Sequence, residues 1–307
     1  MMVATLQSAQ NGFLRCNLFD FRDFCRVLKF AAASLAILAT ACFSATGQTP
    51  ACKASNVVLG KKLAARDVLN KGVQAFKNEN YDEAVCYFLQ ATELDSHLPV
   101  AKQYLGTALA QEVIPGLDTP DNLKVAQRAI DVFQEVLAQD PHDVNSLKQV
   151  AAVCFNVKRL DDARDWQKKV LVEDPKDADA AYTIGVIDWM EAHRNALEVL
   201  QPAGFNDDGE GNAEVPATVM ELLKAKNGVL IEEGLLYLNQ AVENRPNYDD
   251  AMAYLNLIYR RKADLDFGNE AARLDDVAKA QEWARKSMET RKANEEKKIA
   301  GTDSAKP

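Results

Sequence analysis

Residues 70–96 read NKGVQAFKNENYDEAVCYFLQATELDS. Gly72 stands twelve residues before Ala84, and Phe88 and Ala91 follow at four- and three-residue steps. Steps of three and four return to the same side of a helix, so Ala84, Phe88 and Ala91 share one face. Thirty-four residues beyond Gly72 comes Gly106, inside AKQYLGTALAQ at 101–111. The segment NVKRLDDARDWQKKVLVEDPKD, 156–177, sets Ala163 twelve residues before Pro175, and Gly185 follows ten residues after that proline. YLNQAVENRPNYDDAMAYLNLIYR, 237–260, repeats the ending, with Ala241 five residues before Pro246. Small residues recurring at a fixed interval are the mark of stacked helical units, none of which buries its apolar face alone.

Gly72, Ala84, Phe88 and Ala91, with the later Gly106, Ala129, Phe133, Ala163, Gly185 and Ala241, resemble the tetratricopeptide repeat (TPR) pattern. In that family a small residue stands at position 8, Ala at 20, an aromatic near 24, Ala at 27 and Pro at 32. On this pattern repeat one is 65–98, with Ser96 where the closing Pro is usual. Repeats two, three and four are 99–143, 144–177 and 178–248, and repeat five starts at Asp249. Repeat four carries Gly234 where Ala is usual. The resemblance implies an all-α superhelix of five helix-turn-helix pairs over 65–289. Small residues at positions 8 and 20 are expected to face each other where the two helices of a unit cross, since a larger side chain would push the axes apart. Pro141, Pro175 and Pro246 end second helices, because proline cannot continue a helix and restricts the residue before it.

Three units are longer than 34 residues. EVIPGLDTPDN, 112–122, is expected to form a loop between the helices of repeat two, capped by Thr119 or Asp121. In repeat four the first helix is expected to run on through MEAHRNALEVL, 190–200, with a loop at about 201–216 and the second helix starting near Pro216. Repeat five carries extra residues around Asp266–Ala271. All three lengthen the turn inside a unit, so they are expected to gather on one edge, as a lid or a second contact surface.

The ends read differently. Arg15, Arg22, Arg26 and Lys29 precede an apolar run from Phe30 to Phe43, followed by small residues. This is the layout of a secretory signal, and the run is shorter than the ~20 residues that cross a bilayer. Cleavage after Gly47 makes Gln48 the first residue of a periplasmic or secreted protein. A second route competes: Ala39-Thr40-Ala41-Cys42 resembles a lipobox, with Ala39 where Leu is usual, and would leave a lipoprotein anchored at Cys42. Residues 48–64 read as a lead-in linker, and 290–307 as a charged, disordered tail.

Composition narrows the chemistry. With 307 residues and 48% apolar content the chain has enough material for a substantial core. Removing 1–47 takes away four basic and two acidic side chains, moving the formal charge from −9 to −11. An acidic chain without a basic stripe is a poor match for phosphate backbones, so no nucleic-acid partner is expected. After cleavage Cys52, Cys86 and Cys154 remain, too few and too scattered for a disulfide framework, with Cys52–Cys86 the one pairing considered. The histidines are His97, His142 and His193. None is in metal-ligand spacing with a cysteine, so no metal, cofactor or catalytic residue is expected. NDDGEGNAE, 206–214, imitates the first half of a calcium loop but has Ala217 where the closing bidentate Glu belongs, and reads as a solvated loop.

The expected function is protein or peptide binding. The resemblance places the site on the concave face lined by first helices, and Gln103, Lys148, Phe155, Tyr182, Trp189 and Arg260 fall on its groove positions. The family's carboxylate clamp needs Lys and Asn paired at positions 5 and 9; Lys148 has Ala152 there, so that version is not expected. The alternative is a structural or accessory component of a cell-envelope complex.

Overall fold

The computed structural model describes residues 60–303, and among them helices follow one another without a strand. Repeat one pairs α1 (Lys61–Lys77) with α2 (Tyr81–Leu94), and repeat two pairs α3 (Pro99–Glu112) with α4 (Pro120–Leu137). Repeat three pairs α5 (Val144–Asn156) with α6 (Leu160–Glu173). Repeat four pairs α7 (Ala178–Leu200) with α8 (Ala217–Asn244), and repeat five pairs α9 (Asp249–Ala263) with α10 (Glu270–Asp303). Each helix packs on the next; α1 also meets α3, α3 meets α5, and α7 meets α9. First helices therefore lie side by side. The fold is an all-α superhelix of TPR type.

The repeating glycines do the work expected of them, against a different neighbour. A methyl group on Gly72 would lie 2.5 Å from the Phe88 ring, and one on Gly106 would lie 2.8 Å from the Phe133 ring. The side chain nearest to position 8 is thus the aromatic at position 24, beside fully buried Ala84 and Ala129 at position 20. In repeat four Leu238 replaces the aromatic, 2.4 Å from a methyl on Gly185. There the Gly234 carbonyl also comes within 3.1 Å, so positions 8 and 20 do meet. A methyl on Gly234 would in turn crowd Asp188 and Ile258 at 3.2 Å, which explains why alanine is absent.

Unit boundaries reuse one turn. The carboxylates of Asp95, Asp140 and Asp174 each accept from the backbone N–H two residues on, at His97, His142 and Lys176, all at 3.1 Å. Because aspartate sets the turn, repeat one manages it with Ser96 in place of proline.

The inserts fall as expected. Thr119 caps α4, accepting from Asn122 N–H, and Pro120 opens the helix. Buried Asn122 donates to the Ile114 and Leu117 carbonyls and accepts from Ile114 N–H, fastening the loop. α7 continues to Leu200, where Ala196, Val199 and Leu200 pack on Met220 and Leu223 under Phe205 and Phe267.

The end boundaries shift. α1 starts at Lys61, inside the expected lead-in, and α10 runs to Asp303, through residues expected to be disordered. Polar docking explains the second difference: Arg291 pairs with Asp249 and Asp250 at 2.8 Å, and Asn294 donates to the Asn247 carbonyl at 2.9 Å. Such contacts leave no apolar period to read. Residues 1–47, expected to hold a signal and Cys42, and Cys52 in the expected lead-in, lie outside the described residues. Cys86 is disulfide-bonded, and Cys154 is free and buried. No helix among the described residues is long and apolar enough to cross a membrane.

Candidate functional site

The face formed by α1, α3, α5, α7 and α9 is built from positions 5, 9, 12 and 13 of each unit. Position 5 is occupied by the scaffold itself. Gln103 donates to the Asp143 carboxylate at 2.9 Å, and Asp143 also accepts from Ser146 Oγ at 2.6 Å. Lys148 pairs with Asp177, which caps α7 through Ala180 N–H at 2.9 Å. Tyr182 packs on Tyr248, with ring centroids 4.9 Å apart. Asp143, Asp177 and Tyr248 are each the residue just before the next first helix. Position 5 thus ties each unit to its successor, and Gln103, Lys148 and Tyr182 are inter-repeat staples more than open binding positions.

The aromatic residues form a cluster. Tyr254 meets Tyr182 edge-on at 5.6 Å and Trp189 edge-on at 5.3 Å, while Trp189 stacks on His193 at 5.2 Å and 6°. Tyr248 donates to Asp179 at 2.9 Å, and Arg245 holds the same carboxylate with two bonds of 2.8 and 2.7 Å. Burial pushes the Tyr182, Tyr248 and Tyr254 hydroxyls well above the ordinary phenol range. Trp189 stays half-buried, whereas Phe155 is buried in the core.

Arg260 is engaged by the repeat-four insert, donating to the Gly209 carbonyl at 2.9 Å and to Asn256 at 3.1 Å. Its neighbour Arg261 is buried and pairs with Asp207 at 2.7 Å and Asp264 at 3.1 Å. Asn212 donates to Asp264 at 2.8 Å, and Arg273 donates to the Glu210 carbonyl. The calcium-like loop is therefore a clasp: Asp207 serves Arg261, while Asp208 Oδ1 accepts the backbone N–H groups of Glu210 and Asn212. It fastens the insert to the end of α9 and occupies groove positions 12 and 13 of the last unit. What stays half-exposed along the first helices is a mixed strip including Val73, Phe76, Thr107, Gln111, Asn156 and Met190.

A buried charge network lies behind this face. Arg164 of α6 reaches Asp188 at 2.8 Å and also pairs with Glu191, both on α7. Burial pushes the Asp188 carboxyl from 3.8 up to about 7, against the opposing pull of Arg164. Burial likewise raises Asp264 to about 7 despite Arg261. Burial also acts on Asp179 and Asp207, but bonding to Arg245 and Arg261 overcomes it and holds both below the usual carboxylate range. Between pH 4 and 7 the folded chain keeps protons on Asp188 and Asp264 that the unfolded chain releases, so stability falls as pH rises through that window. Below about pH 4 the pairs of Asp179 and Asp207 are lost, and stability falls again. Guanidinium unfolding is expected to show a higher midpoint at pH 5 than at pH 8, with Asp188→Asn flattening the difference; an equal midpoint at both pH values in the parent chain contradicts this.

The sequence pattern did not flag Arg164 or Asp264, placed Arg261 at a groove position and Asp207 in the calcium-like loop, and did not pair any of them. The available signal was charge at helical phases otherwise filled by apolar residues, as at Asp188 between Ile184 and Ala192.

No protein-family model and no curated protein matches the chain. Among solved structures it is similar to "MamA RS-1 ArsTM double mutant", at 20% identity over 75% of this chain and 96% of that one, with a TM-score of 0.50. It is also similar to residues 41-end of MamA from Desulfovibrio magneticus RS-1, at 20% identity over 75% and 98% of the two chains, with a TM-score of 0.46. A third is YrrB, titled a TPR protein with an unusual peptide-binding site, at 15% identity over 77% and 100%, with a TM-score of 0.44. At such identities the likeness concerns the fold, and the first structure supports it. With the helix pairs and glycine crossings above, the fold is of the tetratricopeptide-repeat type.

Proposed function

We propose that this TPR scaffold is non-catalytic and binds a peptide or protein segment along the face of α1, α3, α5, α7 and α9. The observation that supports it is the half-exposed strip beyond the position-5 staples, in which Val73 and Phe76 of repeat one and Met190 of repeat four flank Thr107, Gln111 and Asn156 of repeats two and three. Apolar anchors among amide and hydroxyl groups suit an extended or helical segment. The acidic charge disfavours nucleic acid. Peptides selected from a displayed library against the chain are expected to protect this strip in hydrogen exchange. Met190→Arg is expected to weaken them at least tenfold with an unchanged melting temperature. Tyr182→Ala, by contrast, is expected to lower stability, since its ring joins two units. Peptides that map to the even-numbered helices and ignore Met190→Arg would overturn the assignment.

The chain is further proposed to act outside the cytoplasm, periplasmic or secreted. The basic flank and apolar run at 15–43 support this. Mass spectrometry of the mature chain distinguishes the two processing routes: an N-terminal Gln48 fits the free protein, and a lipidated Cys42 fits an envelope-anchored accessory component. An unprocessed Met1 in the mature chain would sink both.

A further inference from the structure

The repeat-four insert lies on repeat five as a bound peptide would. The connection from α7 to α8 closes at its base, where Phe205 and Val215 pack on the cluster of Val199, Leu200, Met220 and Leu223. The residues between them, 206–214, belong to no helix and leave that cluster to reach α9 and α10. Three arginines receive them. Arg261 pairs with the Asp207 carboxylate at 2.7 Å, Arg260 donates to the Gly209 carbonyl at 2.9 Å, and Arg273 donates to the Glu210 carbonyl. Main-chain carbonyls are common to every peptide, whereas the carboxylate selects, and arginines that read both suit an acidic segment.

The seat is close-fitting and borders the groove. A Cβ on Gly211 would lie 2.6 Å from Arg273 Cγ and 2.9 Å from the Ala263 carbonyl oxygen, so the backbone of the insert rests directly on the end of α9 and the first turn of α10. Arg260 and Arg261 fall on groove positions 12 and 13 of the last unit. The Asp207 carboxylate also stands 3.9 Å from Nδ1 of His193, whose ring stacks on half-buried Trp189. Met190, at the end of the half-exposed strip, is the next residue along α7.

Resting on the groove reading above, we propose that the insert is an autoinhibitory ligand held in cis, and that the partner segment it mimics is acidic. Such a segment offers an Asp or Glu to Arg261 and main-chain carbonyls to Arg260 and Arg273. A tethered segment competes at an effective concentration on the order of millimolar. A free peptide of the same chemistry therefore binds the parent chain weakly, and binds fully once the insert is unseated.

The probe is a labelled synthetic peptide of residues 206–214, NDDGEGNAE, followed by fluorescence anisotropy on the full chain. It is expected to bind about tenfold more tightly, or better, when 206–214 of the chain are replaced by an equally long Gly-Ser segment. The same gain is expected with Gly211→Ala, which crowds Arg273 and leaves the three arginines and Asp207 in place. A peptide carrying Asp207→Ala is expected to lose the gain. Cooperative unfolding checks that each variant is folded; if the Gly-Ser chain is not, Gly211→Ala decides. Equal affinity for the parent and the folded variants, or no binding to any of them, overturns the proposal. If library peptides still protect the strip in that case, the groove reading stands and the cis ligand alone falls; peptides that map to the even-numbered helices overturn the groove reading itself.

Discussion

Gly185→Val is expected to lower stability by about 3 kcal/mol, the upper part of the range for overfilled cores. A Cβ there would lie 2.4 Å from Leu238 Cγ, 2.9 Å from its Cδ2 and 3.1 Å from the Gly234 carbonyl oxygen. At Gly72 the obstruction is an aromatic side chain alone, but at Gly185 it includes backbone, which cannot swing aside. The added atoms must therefore separate α7 from α8, the helices that hold the repeat-four insert. Gly228, on the outer side of α8, is the matched control, with nothing within 4 Å of its Cβ position. Gly228→Ala is expected to stabilise by about 1 kcal/mol, through the backbone entropy that glycine costs in a helix. Denaturant unfolding of the two variants should move the midpoint in opposite directions. Movement in the same direction would mean that the crossing is looser than its geometry.

Arg261→Met is expected to be similarly damaging, by about 3–5 kcal/mol, because it strands buried carboxylates. Arg261 is the cation between Asp207 of the insert and fully buried Asp264 after α9. Without it these carboxylates must protonate or draw in water, and the clasp over groove positions 12 and 13 loosens. Adding Asp264→Asn should recover part of the loss, since one stranded charge is then removed. Lysine is not expected to substitute well, because a single ammonium lacks the guanidinium's separated donors. Limited proteolysis in the 201–216 loop gives a second readout: the clasp requires faster cleavage in Arg261→Met than in the parent chain. Unchanged stability and cleavage would show that the pair carries no structural load.

What the sequence disclosed follows the range of the interactions involved. Helix pairing and unit ends depend on local rules, so the small-residue period, the Asp-Pro turns, the extension of α7 to Leu200 and the start of α8 at Ala217 could all be anticipated. The partner of position 8 could not. Gly72 and Phe88 are brought together by the crossing of two helices, and Ala84 satisfied the same spacing. The partners of position 5 were hidden for a related reason: Gln103 and Lys148 have the character of ligand contacts, and Asp143 and Asp177 are supplied by the next unit's entry. Buried charge was hidden because Asp188 resembles any exposed helical carboxylate until Arg164 arrives from α6. The docking of α10 was hidden for the same reason, its contacts being Arg291 and Asn294 rather than an apolar stripe.

The helix pair of repeat one rests on a knob at position 24 seated over a missing side chain at position 8, and a double-mutant cycle on Gly72→Ala and Phe88→Leu measures that contact most directly. The structure predicts that Gly72→Ala is destabilising beside Phe88 and much less so beside leucine, with a coupling of roughly 1 kcal/mol or more. Strictly additive effects would contradict it, because they would mean that Gly72 and Phe88 do not meet.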